Sequence, residues 1–354
     1  MAKFVIRGGK KLKGELKANT AKNSAVALLC ASLMLKGRVV LKDVPRLQEV
    51  ERILEVLLSI GVKAEWKNRR TLALDTRGPL RMEKINRVAC EATRSSLLLL
   101  GALAGRESGY KLYKSGGCKL GRRTVRPHLY ALNKFGIRVD SREKFYDVKN
   151  QALKSAEIIM YESGDTPTEN AIMAAVLASG KSIIKFASSN YMAQDLCYFL
   201  NSAGAKISGI GSTTLFIEGV KKLRGVKEYF VMPDPIEAMT WISLAITTKS
   251  KMTIANCPTD FLELELEKLR VMGQSMKIKN ARLSKNKKFN VADIEFTPSR
   301  LTALPDKIYG RPFPGLNIDN LPLFVPILAQ AYGRTLVHDW VYEDRAIYTR
   351  NFNV

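Results

Sequence analysis

Leu57-Leu-Ser-Ile-Gly61-Val-Lys-Ala, Leu132-Asn-Lys-Phe-Gly136-Ile-Arg-Val, Leu200-Asn-Ser-Ala-Gly204-Ala-Lys-Ile and Leu269-Arg-Val-Met-Gly273 are four versions of one phrase. Each reads as the last apolar turn of a helix followed by a glycine stop, and then a strand. Glycine takes left-handed dihedrals without strain, so it is the expected residue just past a helix end. Upstream of each phrase lies another helix rich in Ala and Leu, also stopped before a strand. These are Ser24–Gly37 before Arg38-Val-Val-Leu, Arg94–Gly109 before Tyr110-Lys-Leu-Tyr, Thr168–Gly180 before Lys181-Ser-Ile-Ile, and Ile236–Lys249 before Ser250-Lys-Met-Thr-Ile. A fifth, Asn320–Gly333, precedes Arg334-Thr-Leu-Val.

The first stops, at 37, 109, 180, 249 and 333, are 72, 71, 69 and 84 residues apart. A repeat of about seventy residues is therefore the organising unit. Each unit reads as βαβαβ-type structure of α/β class. A unit this small cannot cover both faces of its own helices, so several must pack together with helices inward. A chain of 354 residues is more than one compact core usually needs, which makes two domains the expectation. The fifth unit should open its second helix near Tyr342, yet the chain ends at Asn351-Phe-Asn-Val354 before another Leu-x-x-x-Gly stop. That unit reads as unfinished, either as a fragment of a longer product or as a naturally shortened form.

Bulk composition excludes several classes. Hydrophobic content of 46% with 25% charged residues fits a globular chain and argues against disorder. The first fourteen residues carry five Lys/Arg and no continuous apolar core, so no signal peptide is read there. The longest apolar run, Leu97 to Ala104, is too short to cross a bilayer. Five cysteines without a CxxC pair argue against a disulfide framework or structural zinc and suit a reducing cytosol. A net charge of +24 attracts polyanions, but the 57 Lys/Arg are spread along the whole chain with no nucleic-acid-binding signature. Solvated lysine faces account for most of it, and the same charge suits anionic small substrates.

Four clusters carry chemistry. Asn19-Thr-Ala-Lys22-Asn23 opens the first repeat helix, and Arg94 opens the second in the same placement. A cation beside a helix N-terminus either receives an anion or is a solvated lysine next to a cap. Ser115-Gly-Gly-Cys118-Lys119-Leu-Gly-Arg122-Arg123 sets one cysteine behind two glycines and ahead of three cations. Neighbouring cations favour the thiolate, which marks Cys118 as reactive. Cys30, Cys90 and Cys197 lie in apolar helical patterns and Cys257 precedes a proline, so these read as buried small hydrophobes. Pro312-Phe-Pro314-Gly-Leu-Asn-Ile-Asp319-Asn320 leads into the fifth helix, and by itself Asp319 reads as a helix N-cap or near-cap rather than as a carboxylate base. The fourth cluster, Val341-Tyr342-Glu343-Asp344-Arg345, reads on its own as a polar turn. His128 and His338 share no spacing with each other or with carboxylates, so no metal site is expected.

Lys22-Asn23, Arg94, the Gly-Gly-Cys118 loop with Arg123 and the Val-Tyr-Glu343 turn resemble, in order and spacing, the UDP-N-acetylglucosamine 1-carboxyvinyltransferases, from residue 4 to about 348. The resemblance implies a two-domain inside-out α/β barrel with three repeats per domain. Residues 22–229 would form the first domain. Residues 1–21 with 230–354 would form an incomplete second one, its sixth repeat absent. It implies transfer of the enolpyruvyl group of phosphoenolpyruvate to the 3-hydroxyl of UDP-N-acetylglucosamine, in the cytoplasm, without cofactor or metal. By the same resemblance Cys118 gives a proton to the methylene carbon, Asp319 takes one from the hydroxyl, and Lys22 and Arg123 hold the anionic substrate. Asn23, Arg94, Arg123, Thr124, Val125, Arg126, Pro127, Val341 and Glu343 would line the sugar-nucleotide site. Ser163, Gly164, Asp165 and Thr166 would stand near the diphosphate. Arg126 replaces a usually acidic residue, and Ser163-Gly-Asp165 replaces Ser-Val-Gly. A non-catalytic sugar-nucleotide binder and a shikimate-type enolpyruvyl transferase are the alternatives; Cys118 and Asn23 point away from the latter.

Overall fold

The computed structural model describes residues 5–115, 124–342 and 345–346. The chain is of α/β class and divides into two compact units. One is Thr20–Met232; the other joins the residues up to Asn19 to those from Pro233 onward.

Three sheets form the outer layer of the larger unit. The first has the strand order Val226–Phe230, Arg38–Lys42, Thr71–Asp75, Lys63–Asn68. The second is Gly109–Tyr113, Phe145–Asn150, Ile137–Ser141. The third is Lys206–Ser208, Thr214–Glu218, Lys181–Lys185, Glu157–Ile159. Val226–Phe230 runs parallel to Arg38–Lys42, so the end of the third repeat completes the sheet of the first. Burial alternates along these strands, one face packed inward and one wet.

The helices of this unit are α1 (Lys22–Ala31), α2 (Gln48–Ser59), α3 (Arg87–Ala92), α4 (Leu99–Ala102), α5 (Arg126–Lys134), α6 (Asp165–Val176) and α7 (Tyr191–Ser202). Eight of ten residues in α1 and ten of twelve in α6 are buried. A helix covered all round belongs inside, and these two form the centre of one continuous core. By contrast α2 is amphipathic and buries only Val50, Ile53, Leu54, Val56 and Leu57.

The glycine stops behave as their position demands. Gly61, Gly136, Gly204 and Gly273 have φ of 99°, 92°, 100° and 89°. At the first stop of the fourth unit, where no glycine is present, Lys249 itself takes the left-handed conformation at φ 49°.

One expected helix is broken, and a side chain breaks it. Instead of a helix from Arg94 to Gly109, the chain makes a 3-10 turn over Arg94–Leu98 and a single α-turn over Leu99–Ala102. The Leu97 carbonyl and the Gly101 N–H would be partners in an α-helix. Here the Asn170 carboxamide from α6 is inserted between them. Its Nδ2 donates to Leu97 O at 3.0 Å, and its Oδ1 accepts from Gly101 N at 2.8 Å. A side chain driven into the ladder is one of the few causes of a helix break. Position 101 must be glycine for the same reason, because a Cβ there would lie 2.7 Å from Asn170 atoms.

The second unit has one four-stranded sheet, ordered Lys13–Lys17, Lys251–Pro258, Asn290–Phe296, Met276–Leu283, its first pair parallel. Its helices are α8 (Pro235–Thr247), α9 (Glu263–Val271) and α10 (Leu321–Leu328). Met239, Ile242, Leu266, Leu269, Ile294 and Phe324 belong to its core. The strand expected at Arg334-Thr-Leu-Val is shorter than the pattern suggested. Only Val337–His338 pairs, with Ile308–Tyr309.

Candidate active site

In the larger unit the first turns of the three repeat helices are tied into one polar circuit. The first link runs through Glu49, at the start of α2. Its carboxylate accepts from Lys22 Nζ at 2.5 Å, from Thr93 Oγ1 at 3.0 Å and from the Ser95 hydroxyl. Burial raises the Glu49 pKa, but the Lys22 charge and the hydrogen bonds from Lys22, Ser95 and Thr93 outweigh it and hold the carboxyl below its ordinary value.

The second link runs from the second helix start to the third. Arg94 Nη2 donates to Thr124 O at 3.0 Å, just before α5. From α5, His128 reaches α6, with Nε2 3.3 Å from Thr166 Oγ1 and Nδ1 2.9 Å from Asn170 Nδ2. Gly101 N–H fixes Oδ1 of Asn170 as acceptor, so Nδ2 is a donor on the His128 side. Nδ1 therefore accepts, and the ring proton sits on Nε2, facing Thr166. Burial and then the Arg94 charge hold the His128 pKa down to about 3, which keeps the ring neutral. The third link closes the loop. Asn23 Nδ2 donates to Tyr191 Oη at 2.9 Å, and the neighbouring Asn190 donates to Asp165 Oδ2 at 3.2 Å. Ser188 Oγ donates to the other Asp165 oxygen at 2.5 Å.

Lys22 therefore does not match the reading of a solvated lysine next to a cap. It is not beside a side-chain cap, because Ala21 supplies none, and it is not loosely solvated, because Glu49 holds it. The first turn of α1 contains no acidic residue, so its amides and the ammonium share one end of the helix. An incoming dianion would compete with Glu49 for that ammonium. Thr124 and Arg126 are exposed, Val125 is half-buried and Pro127 is buried in the first turn of α5. Ser163, Gly164, Asp165 and Thr166 are half-buried at the start of α6, with the Asp165 carboxylate already engaged by Ser188 and Asn190. Cys118, Arg123 and Glu343 lie outside the described residues. The other four cysteines are buried, and burial raises each thiol, Cys90 and Cys257 to about 12.

The second unit places Asp319 just before α10, but not as its cap. Asn320 holds the N-cap position and makes no side-chain cap bond. The half-exposed Asp319 carboxylate instead receives Arg345 Nη1 at 3.3 Å. Arg345 is 5% exposed, donates Nε to Asp339 Oδ2 at 3.0 Å, and also donates to Ile318 O. Its guanidinium lies 5.4 Å from the Tyr342 ring centroid. Val341 is half-buried in the same stretch.

Glu49, His128, Asn170, Tyr191, Asp339 and Arg345 were not picked out as site residues from sequence. For Asn170 a signal existed: Thr168-Glu169-Asn170 interrupts an otherwise apolar helix, and a buried amide must find partners. Glu169, 1% exposed, is less well served. Its Oε1 has no hydrogen-bond partner, and burial, then the Asp165 charge, push its pKa well up.

Among known proteins, a family model described as EPSP synthase (3-phosphoshikimate 1-carboxyvinyltransferase) matches residues 6–346. The chain is 33% identical over 349 residues to UDP-N-acetylglucosamine 1-carboxyvinyltransferase 2 of Caldanaerobacter subterraneus, covering 99% of this chain and 80% of the relative. It is 30% identical to UDP-N-acetylglucosamine 1-carboxyvinyltransferase of Bacteroides thetaiotaomicron, covering 98% and 80%. Among solved structures, the enolpyruvyl transferase NikO from Streptomyces tendae superposes with a TM-score of 0.83 at 21% identity, over 98% of this chain and 79% of that one. EPSP synthase from Acinetobacter baumannii gives 0.70 at 17%, over 93% and 74%. At those identities the structural likeness speaks for the fold.

Proposed function

The chain belongs to the EPSP synthase family of enolpyruvyl transferases, and from that premise we propose that it transfers the enolpyruvyl group of phosphoenolpyruvate to the 3-hydroxyl of UDP-N-acetylglucosamine. Phosphate is released, and the product enters cell-wall peptidoglycan synthesis in the cytoplasm. The observation that carries this choice of acceptor is the pair of relatives of that name, at 30% identity or more over at least 98% of the chain.

The chemistry is addition followed by elimination. The methylene carbon of phosphoenolpyruvate gains a proton while the sugar oxygen, losing its own, bonds to the adjacent carbon. The tetrahedral adduct then loses phosphate, and a proton from the new methyl group restores the double bond. Neither half needs a redox or metal cofactor. Cys118 is the proposed donor to carbon and Asp319 the proposed base for the hydroxyl. Lys22 and Arg123 are assigned to the phosphate and carboxylate, where fixed cations stabilise developing charge. Asn23, Arg94, Thr124 to Pro127, Val341 and Glu343 are assigned to the sugar nucleotide, with Ser163 to Thr166 near the diphosphate. In support of these roles, Lys22, Asn23, Arg94 and Thr124 share the circuit of helix starts, and the Asp319 carboxylate stays half-exposed beside a buried arginine.

The test is phosphate release from phosphoenolpyruvate with UDP-N-acetylglucosamine and, separately, with shikimate 3-phosphate as acceptor. Release is expected with the sugar nucleotide alone. It should be abolished in Cys118→Ala and partly kept in Cys118→Asp, since a carboxyl can also donate a proton. Release only with shikimate 3-phosphate would overturn the acceptor, and an unimpaired Cys118→Ala would remove the cysteine from the mechanism.

A further inference from the structure

We propose that Glu265, on α9, is a positioning residue that holds Asp319 in place through Asn317 and Asn320. The inference rests on the reading of Asp319 as the base for the sugar hydroxyl. Glu265 does not touch Asp319. Its Oε1 accepts from Asn320 Nδ2 at 2.8 Å and from the Asn317 N–H at 3.3 Å. Asn317 in turn accepts the Asp319 N–H on its own Oδ1 at 2.9 Å, and its carbonyl accepts from Asn320 N at 2.9 Å. The Asn317 backbone on one side of Asp319 and the Asn320 side chain on the other are thus fixed to one oxygen of a side chain from another helix. Buried Leu316 and Leu321 anchor the segment at either end, these polar contacts set the loop between them, and Arg345 Nη1 meets the carboxylate itself at 3.3 Å.

The setting argues that stability is not what Glu265 supplies. It is 2% exposed, on the face of α9 that carries Leu266 and Leu269 into the core. Burial raises its pKa, and the hydrogen bonds from Asn320 and Asn317 only partly oppose that. An apolar residue in its place would avoid the desolvation of a carboxyl group. What the carboxyl provides and a leucine cannot is an acceptor placed between two donors of one loop. A base must stand within hydrogen-bond reach of the proton it takes, so a small rotation of that loop is costly to the rate.

The experiment is steady-state phosphate release on the full chain with both substrates varied, alongside thermal melting. Glu265→Gln keeps a carbonyl oxygen at the same place and should hold kcat within about twofold of the parent. Glu265→Leu should lower kcat on the order of 10–100-fold with KM little changed, because binding groups elsewhere are untouched. It also strands the buried Asn320 amide and should melt early, so Glu265→Leu is combined with Asn320→Leu, which removes that orphan. The double variant should recover the melting temperature and keep the kcat loss. Recovery of kcat together with stability would overturn the proposal, as would Glu265→Gln being as slow as Glu265→Leu. Asp319→Asn separates the two levels: if it works at the parental rate, the base assignment itself fails and this inference with it. If it is slow while the double variant is fast, the positioning role alone is refuted.

Discussion

Replacing Asn170 by leucine should destabilise the protein more than replacing it by alanine, the reverse of the usual order for core positions. Leucine matches asparagine in branching, so it keeps the wedge between Leu97 and Gly101 while removing every hydrogen bond it makes. Two buried groups then lose their partner, the Gly101 N–H and His128 Nδ1, while the Leu97 carbonyl keeps the Leu99 N–H. Each unpaired buried group costs about 1–3 kcal/mol, so the total is about 4 kcal/mol, a large part of the stability of an ordinary domain. Alanine withdraws the wedge instead. The Leu97 carbonyl can then close directly on the Gly101 N–H as an α-helical bond, leaving only His128 Nδ1 stranded, at about 2 kcal/mol. The gap of about 2 kcal/mol corresponds to roughly 4–8 °C in melting temperature for a unit of this size. Calorimetric or circular-dichroism melts of Asn170→Leu and Asn170→Ala beside the parent measure it. If the leucine variant melts at or above the alanine variant, the inserted amide is not what splits this helix, and the account of the second repeat is wrong.

Two pH dependences follow from the same core. His128 binds a proton near pH 6.5 when unfolded but only near 3 when folded, so the unfolded state holds more protons between those values. Its contribution to stability is complete above about pH 6.5 and is lost as the pH falls toward 3, at up to about 1.4 kcal/mol per pH unit. His128→Gln should flatten the acid limb of urea-denaturation stability relative to the parent between pH 7 and 4; an identical slope would show that the ring is not held neutral. Glu169 has the opposite sign. Burial raises its folded pKa, so the folded state keeps a proton that the unfolded chain releases above about 4.5, and stability falls as pH rises. Glu169→Gln should equal the parent at pH 4 and exceed it at pH 8, and a variant weaker at pH 8 would contradict the buried, unpaired carboxyl.

What was legible in the sequence is what local backbone physics dictates. The Leu-x-x-x-Gly stops mark helix ends because only a few residues turn left-handed cheaply, and Gly61, Gly136, Gly204 and Gly273 all do so. The burial of α1 and of the second half of α6 was legible because Ala25–Ala31 and Ala171–Val176 are apolar on every side. The break in the second repeat helix was not, since its cause lies 73 residues away in Asn170. No periodicity within Arg94–Gly109 encodes an amide arriving from another helix. The glycine at 101 was the one local trace of it.

The candidate site divides along the same line. Lys22 and Arg94 announce themselves by charge at a helix start, whereas the groups they and their neighbours pair with do not. Lys22 is held by a glutamate 27 residues on, and His128 meets Asn170 across 42 residues. Asp319 shows the cost of reasoning locally. An aspartate just before a helix is ordinarily a cap, because the free amides of the first turn are its nearest donors. Here a guanidinium 26 residues downstream receives the carboxylate instead, and that guanidinium is itself fixed by the buried Asp339. A charged donor outcompetes a neutral backbone amide for the same oxygen. The cap reading therefore holds only where no buried arginine is within reach, and a lone Arg in a polar turn such as Val341 to Arg345 is a reason to look for the carboxylate it must pair with.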